Sequence, residues 1–438
     1  MRKHSAKRTF SLELTSSTPH SQFSILMTLS SITLTSFRSS PLPQTVEFSD
    51  GVNILYGKNA SGKTNLLEAI YLCAAGKSFR ACDEKNFIRH GERRCGVLAE
   101  YSAEDGRQSS VEVCYYTDGK SLSRMFRLDG VKTDSASEAV GNLRAVVFTP
   151  DHLSIVKGAP EERRRFLDMV MSQASRSYIK YLSAYNKRLR YKNDFLRIAK
   201  VKGISPDPVM LETVNITLAE YAVRVCDMRR EFCRELTKHA SEIYSKLTDG
   251  RERLSLEYVS KISLPEGLDF EESVSEVCRI FGEAAESEIA AGYSVVGPHR
   301  DDISMRISVG GEKNENYSVG ENSGKDDDTF YENEPGEAIP HSAKYFGSRG
   351  QQRSAVLSLK LAEGEMLKKL TGEYPVFLLD DVLSELDSGR RSFILSKLSG
   401  RQVIVTCCDA DTAFSNIPGA RFIKADGGVY EDYGGVLF

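Results

Sequence analysis

Apolar and polar residues alternate over short stretches at several places in the chain, the period of a half-buried strand. Leu29, Ile32 and Leu34 recur with polar spacing, Val46 to Phe48 alternates, and Asp50-Gly51 turns into the apolar run Val52 to Tyr56. From Thr64 to about Ala75 the period lengthens, placing Leu66, Leu67, Ile70, Tyr71 and Ala74 on one helical face. Short alternating runs follow at 96–101, 111–116 and 124–128, divided by Glu104-Asp105-Gly106 and Thr117-Asp118-Gly119-Lys120 turns, which predicts an antiparallel β patch. After Ala145 to Phe148 and the breaker Pro150 the pattern is helical over 161–200 and 208–247, with strand-like text at 254–258. The last third alternates a helix (350–371), a strand (376–379), a helix (388–398) and a strand (403–405). Strand and helix in alternation predict a largely parallel sheet covered on both faces, hence an α/β fold.

The 438 residues are 40% hydrophobic and 27% charged, enough for two or three well-buried domains. A net charge of -3 excludes a packer of nucleic acid that is cationic all over. It hides an uneven distribution: eleven Lys/Arg against four Asp/Glu over 161–200, nine acids against two lysines over 311–340. Residues 1–26 are basic and Ser/Thr-rich without the apolar centre of a secretory signal, and read as a disordered leader or mis-assigned start. Residues 311–340 read as a disordered acidic insertion. The expected division is a first α/β part at 27–148, a mainly helical basic lobe at 149–290, and a second α/β part at 291–438. Nine scattered cysteines without zinc spacing read as reduced thiols, and no run is apolar enough for a membrane span, so a cytoplasmic location is expected.

Gly57-Lys58-Asn59-Ala60-Ser61-Gly62-Lys63-Thr64, followed by Asn65, matches the phosphate-binding loop G-x-x-x-x-G-K-[ST] between a strand and a helix. The chemistry needs these residues. Glycines let N–H groups point inward, the helix N-terminus attracts anionic phosphate, Lys63 reaches the β/γ oxygens, and the Thr64 hydroxyl suits Mg²⁺. Val376-Phe377-Leu378-Leu379 then ends in Asp380-Asp381, where open α/β sheets bind ligands. Asp380 is the candidate metal ligand and Asp381 the candidate general base for ATP hydrolysis. More than 300 residues separate Lys63 from Asp380, so a large element is inserted between them. A small-molecule kinase and a non-catalytic ATP switch are the rival readings. His299-Arg300-Asp301 has Arg306 where a protein kinase needs Asn, which removes that reading.

Ser348-Arg349-Gly350-Gln351 opening a helix, the Asp-Asp strand, and Ser384-Glu385-Leu386-Asp387 resemble, in order, the signature, Walker B and D-loop of ABC-type ATPase heads. More closely, Gly62 to Leu72, Lys77 to Arg80, Phe148 to Asp151, Gly158 to Pro160, Arg163 to Asp168, Gly297 to Asp302 and Gly347 to Glu363 resemble the RecF family of bacterial recombination-mediator ATPases, from about Met27 to the end. The resemblance implies a P-loop ABC-type head with a mixed sheet, an antiparallel β patch and an inserted helical lobe. It implies ATP and Mg²⁺ as cofactors, with Ser348, Gly350, Gln351, Ser384 and Asp387 completing the site of a second subunit. The implied activity is weak ATP hydrolysis by a dimeric clamp on gapped or single-strand/double-strand DNA, acting with RecR and RecO in recombinational repair, replication-fork maintenance and the SOS response of bacteria. Arg349 replaces the family's glutamine in the signature, and Thr406-Cys407-Cys408-Asp409 stands where ABC heads carry a switch histidine, leaving the γ-phosphate sensor and the Q-loop unassigned.

Arg163, Arg164, Arg165, Lys187, Arg188, Arg190 and Lys192, interleaved with Tyr178, Tyr181, Tyr185 and Tyr191, are the candidate DNA contacts. A solvated basic face with core tyrosines explains the same pattern. Arg80, Arg89, Arg93 and Arg94 are weaker candidates.

Overall fold

The computed structural model describes residues 27–80, 82–103, 105–309, 341–408 and 419–434; the leader 1–26 and the acidic segment 311–340 lie outside them. A six-stranded sheet runs Val429–Asp432, Arg421–Asp426, Val52–Tyr56, Val403–Cys407, Val376–Leu379, Ala145–Phe148. All neighbours are parallel except the first pair, a hairpin. Val376–Leu379 is buried throughout, which is why its text is a continuous apolar run rather than an alternation. Its residues still alternate in destination. Val376 and Leu378 enter one core with Leu55 and Ile404, while Phe377 and Leu379 enter a second with Ile54, Val403 and Val405.

The first core lies between this sheet and a second, antiparallel one, ordered Gln44–Glu47, Thr28–Thr35, Arg94–Ser102, Gln108–Thr117, Leu122–Leu128, Val131–Lys132. Helix Lys63–Ala75 is held there and buries Ala69 and Cys73 as well as the predicted stripe, so it has no solvent face after its first turn. The second core joins the parallel sheet to helix Arg349–Thr371 and to the helical lobe.

The run 161–200 is two helices, Pro160–Ala174 and Arg176–Lys202. Ser175 interrupts them in an extended conformation and its hydroxyl caps the second by accepting from Tyr178 N–H. Pro208–Leu247 is one helix of 40 residues, about 60 Å long at 1.5 Å per residue, packed on Arg176–Lys202. Strand Glu252–Val259 pairs antiparallel with Asp302–Val309, which pairs with His341–Ser342, so chain from both sides of residue 290 builds one small sheet under this lobe. Helix Phe270–Glu283 packs on Pro208–Leu247 and Ala285–Ala291 on Arg176–Lys202. Among the described residues no helix is long and apolar enough to cross a membrane. All nine cysteines are free thiols; only Cys408 is exposed.

Candidate nucleotide site

The loop from Gly57 to Thr64 leaves strand Val52–Tyr56 and enters helix Lys63–Ala75 through left-handed backbone at Gly57 (φ 152°), Ala60 (φ 63°) and Gly62 (φ 108°). A Cβ on Gly57 would stand 2.2 Å from the Ala425 carbonyl oxygen, so only glycine fits. The loop is braced from behind by the C-terminal hairpin: Gly428 N–H donates to Ser61 C=O (2.8 Å) and the Tyr430 hydroxyl to Gly62 C=O (2.9 Å). Lys63 is buried, its ammonium donating to the Gly57 (2.7 Å) and Lys58 (3.1 Å) carbonyls. Lys58, Asn59 and Ala60 are exposed at the rim, and Asn65 follows in the first helical turn, donating to Ser39 Oγ at 3.0 Å. The buried Ser61 hydroxyl has no protein partner. An orphaned donor in a cradle of helix N-terminus and glycine backbone suits phosphate oxygens.

Asp380 and Asp381 emerge from Val376–Leu379 two strands away from the loop's own strand, with Val403–Cys407 between. The Thr64 hydroxyl donates to Asp380 Oδ1 at 3.0 Å. Hydroxyl and carboxylate are the hard oxygen donors that, with phosphate, hold Mg²⁺; a bound ion there would polarise and orient the phosphates. Burial raises the Asp380 carboxyl above its usual range, against the hydrogen bonds from Thr64 and Thr406. Asp381 adopts left-handed backbone (φ 52°), which turns it off the strand axis, and remains half-buried. Thr406 ties the pair together: its hydroxyl donates to Asp380 Oδ1 (3.0 Å) and accepts from Asp381 N–H (2.9 Å). This residue was passed over in the sequence as part of a segment lacking a histidine. Asp409 lies outside the described residues.

Ser348 is the N-cap of Arg349–Thr371 in a reciprocal capping box with Gln351, and Gln351 Nε2 donates to Glu252 Oε1 at 3.0 Å. Ser384 donates to the Asp381 carbonyl (2.7 Å), and Asp387 caps helix Ser388–Leu398. Arg390 pairs with Asp387 and donates to Gly350 C=O (3.4 Å), so the 348–351 and 384–387 turns share one face. That face carries exposed Tyr345 (65%) and Phe346 (73%) beside exposed Ser348. Among the described residues, Ser348, Gly350 and Gln351 make no hydrogen bond to residues 57–64.

The model of the RecF/RecN/SMC N-terminal domain matches residues 28–419. The DNA replication and repair protein RecF of Ruminiclostridium cellulolyticum is 35% identical over 387 residues, 87% of this chain and 93% of its own. That of Staphylococcus carnosus is 36% identical over 356 residues, 81% and 86% of the two chains. The chain belongs to the RecF family. A solved structure of the recombination mediator protein RecF with ATP, from the RecFOR pathway, superposes with a TM-score of 0.80 at 28% identity, covering 95% of this chain and all of that one. The fold is therefore the P-loop ABC-type head of RecF, with its mixed sheet and helical lobe. The small-molecule kinase reading is set aside by this membership.

The basic residues divide. Arg163 is buried and makes a two-nitrogen pair with Asp302 (2.6 and 2.8 Å), and Lys192 is fully buried against Glu288 (2.6 Å), so neither is presented to a ligand, contrary to expectation. Arg164 donates to Asp301 C=O (2.6 Å), and Arg165 to the Ser78 (2.8 Å) and Arg80 (2.9 Å) carbonyls. Arg188 stacks over Tyr221 at 4.6 Å. Lys187 and Arg190 are exposed and, with exposed Arg176 and Lys180, recur at i, i+4, i+11 and i+14, one stripe along the helix. Tyr191, 51% exposed, adjoins it, whereas Tyr178 and Tyr185 are core. Tyr185 is hydrogen-bonded to His299 Nδ1 (2.7 Å), whose burial pushes the imidazole down to about 4. Arg80 donates to Asn65 Oδ1 (3.2 Å) and Arg89 to Pro41 C=O (2.6 Å), leaving Arg93 and Arg94 exposed.

Proposed function

We propose that this chain is an ATP-dependent DNA-binding protein of recombinational repair. Two copies close head to head over two ATP molecules and hold DNA between their helical lobes. Each ATP, with Mg²⁺ at Thr64 and Asp380, lies on the 57–64 loop of one copy under Ser348, Gly350 and Gln351 of the other. Lys63 neutralises the phosphates, Asp381 acts as general base, and slow hydrolysis releases the clamp.

The observation that carries this reading is an exposed Ser348 helix cap, flanked by uncovered aromatic residues, that among the described residues makes no hydrogen bond to the 57–64 loop of its own chain. The positive end of a long helix suits the γ-phosphate, and exposed Tyr345 and Phe346 suit burial in an interface. The relatives' role in replication and repair supports DNA as the cargo, and the stripe at Arg176, Lys180, Lys187 and Arg190 suits a phosphate backbone.

Light scattering and retention on gapped duplex test it together. ATP with Mg²⁺ should double the mass and retain DNA, Lys63→Met should do neither, and a wild-type chain that stays monomeric with ATP refutes the clamp.

A further inference from the structure

The triple arginine that the sequence offered as DNA contacts is engaged within the chain, in two directions. Arg163 and Arg164 fasten helix Pro160–Ala174 to Asp302 and to the Asp301 carbonyl, at the start of strand Asp302–Val309. Asp301 is itself fully buried and accepts from the Tyr258 hydroxyl, the Ser260 hydroxyl (3.0 Å) and Lys261 N–H (3.0 Å). On the same helix Asp168 accepts from Tyr178 (2.5 Å) and from buried Arg229 (2.6 Å), residues of the two long helices of the lobe. The helix is thus locked to the base of the arm by charge-assisted bonds.

Arg165 points the other way. One of its terminal nitrogens donates to both the Ser78 and Arg80 carbonyls, in the loop that follows helix Lys63–Ala75. That loop is tied to the nucleotide side: Ser78 Oγ donates to buried Glu68 Oε1 (2.5 Å), and the Arg80 guanidinium reaches Asn65, the residue after Thr64. A continuous bonded route therefore runs from the first turn of the phosphate helix, through Arg80 and Arg165, to the base of the arm.

We infer that Arg165 is a positioning residue that ties the loop beside the nucleotide site to the helical arm, so that ATP binding and DNA binding are coupled through it. The inference rests on the ATP-dependent DNA-binding reading above. A displacement of the 78–80 loop on phosphate binding moves helix Pro160–Ala174 and, with it, the strand and helices that orient the basic stripe. Coupling between two ligands is reciprocal, so the same link raises ATP affinity when DNA is bound.

The test measures gapped-duplex affinity of the full chain with and without ATP and Mg²⁺, and fluorescent-ATP affinity with and without DNA. Three chains are compared: wild type, Arg165→Met, which keeps the side-chain stem and removes the donors, and Arg165→Lys, which restores one. In Arg165→Met the affinity for each ligand alone should stay within about twofold of wild type. The ATP-linked gain in DNA affinity, about 5–150-fold for typical coupled sites, should fall towards one in both directions, and Arg165→Lys should recover most of it. Wild-type coupling in Arg165→Met overturns the inference, as does an equal loss of DNA affinity with and without ATP, the mark of a merely structural role. Absence of coupling in the wild type refutes the ATP-dependent binding reading instead.

Discussion

Thr406 shows most clearly how a single side chain organises this site. Its hydroxyl fixes both the Asp380 oxygen that also receives Thr64 and the backbone of Asp381, so it sets the angle between the proposed metal ligand and the proposed base. Thr406→Val removes the donor and acceptor at nearly constant volume. Steady-state turnover should fall about 10–100-fold, the usual effect of losing a partner that orients a metal ligand, with ATP affinity by equilibrium titration changed little. An unchanged kcat would show that the two aspartates hold their geometry without it. At this scale the sequence was informative only where chemistry demands a fixed spacing. The strand-to-helix loop at Gly57 to Thr64 and the strand ending in Asp380-Asp381 were legible because each is written as a short motif of fixed spacing. Thr406 was not, because its role depends on two strands lying side by side. Arg163 and Lys192 misled for the same reason: a charged residue in a helix is written alike whether it meets solvent, Asp302 or Glu288, and the last two lie far away in the chain.

At the scale of elements, the C-terminal hairpin is the part the sequence reading left out. Arg421–Asp426 and Val429–Asp432 carry the turn Gly427-Gly428 between two short alternating runs, a recognisable two-residue hairpin signal. Both glycines have positive φ (57° and 86°), but a Cβ on Gly427 meets nothing within 4 Å, whereas one on Gly428 would lie 2.6 Å from the Ser39 carbonyl oxygen. Gly427→Ala should cost about 1–2 kcal/mol in urea unfolding, the strain of a left-handed alanine. Gly428→Ala should cost more and also weaken ATP binding, because Gly428 donates to the Ser61 carbonyl of the phosphate loop. Equal effects would detach the hairpin from the site. Other elements were legible from period alone: Val376–Leu379 and Ser388–Leu398 have the limits their patterns predict. The break at Ser175 was missed, since Met171, Tyr178 and Tyr185, seven residues apart, continue a helical repeat across it and only the capping hydroxyl marks the boundary.

For the molecule as a whole, a net charge of -3 proves compatible with a cationic stripe because the charges are segregated. On the clamp reading Lys187→Ala and Arg190→Ala should each weaken DNA binding without regard to sequence and reduce the salt dependence of log affinity by about one unit. Lys192→Ala should leave the salt slope alone and lower stability by about 3–5 kcal/mol, the cost of stranding buried Glu288. A slope altered by Lys192→Ala but not by the other two would invert the assignment of inner and outer basic residues.

The most direct test of a site shared between two copies is complementation. Lys63→Met disables the phosphate loop and Ser348→Arg blocks the signature cap, so each chain alone should fail to hydrolyse ATP. Mixed, they form a twofold dimer in which one site has both defects and the other has an intact loop from one chain under an intact cap from its partner. ATP turnover that appears only in the mixture is the predicted result. A mixture as inactive as its components, or a Ser348→Arg chain active by itself, would contradict the account.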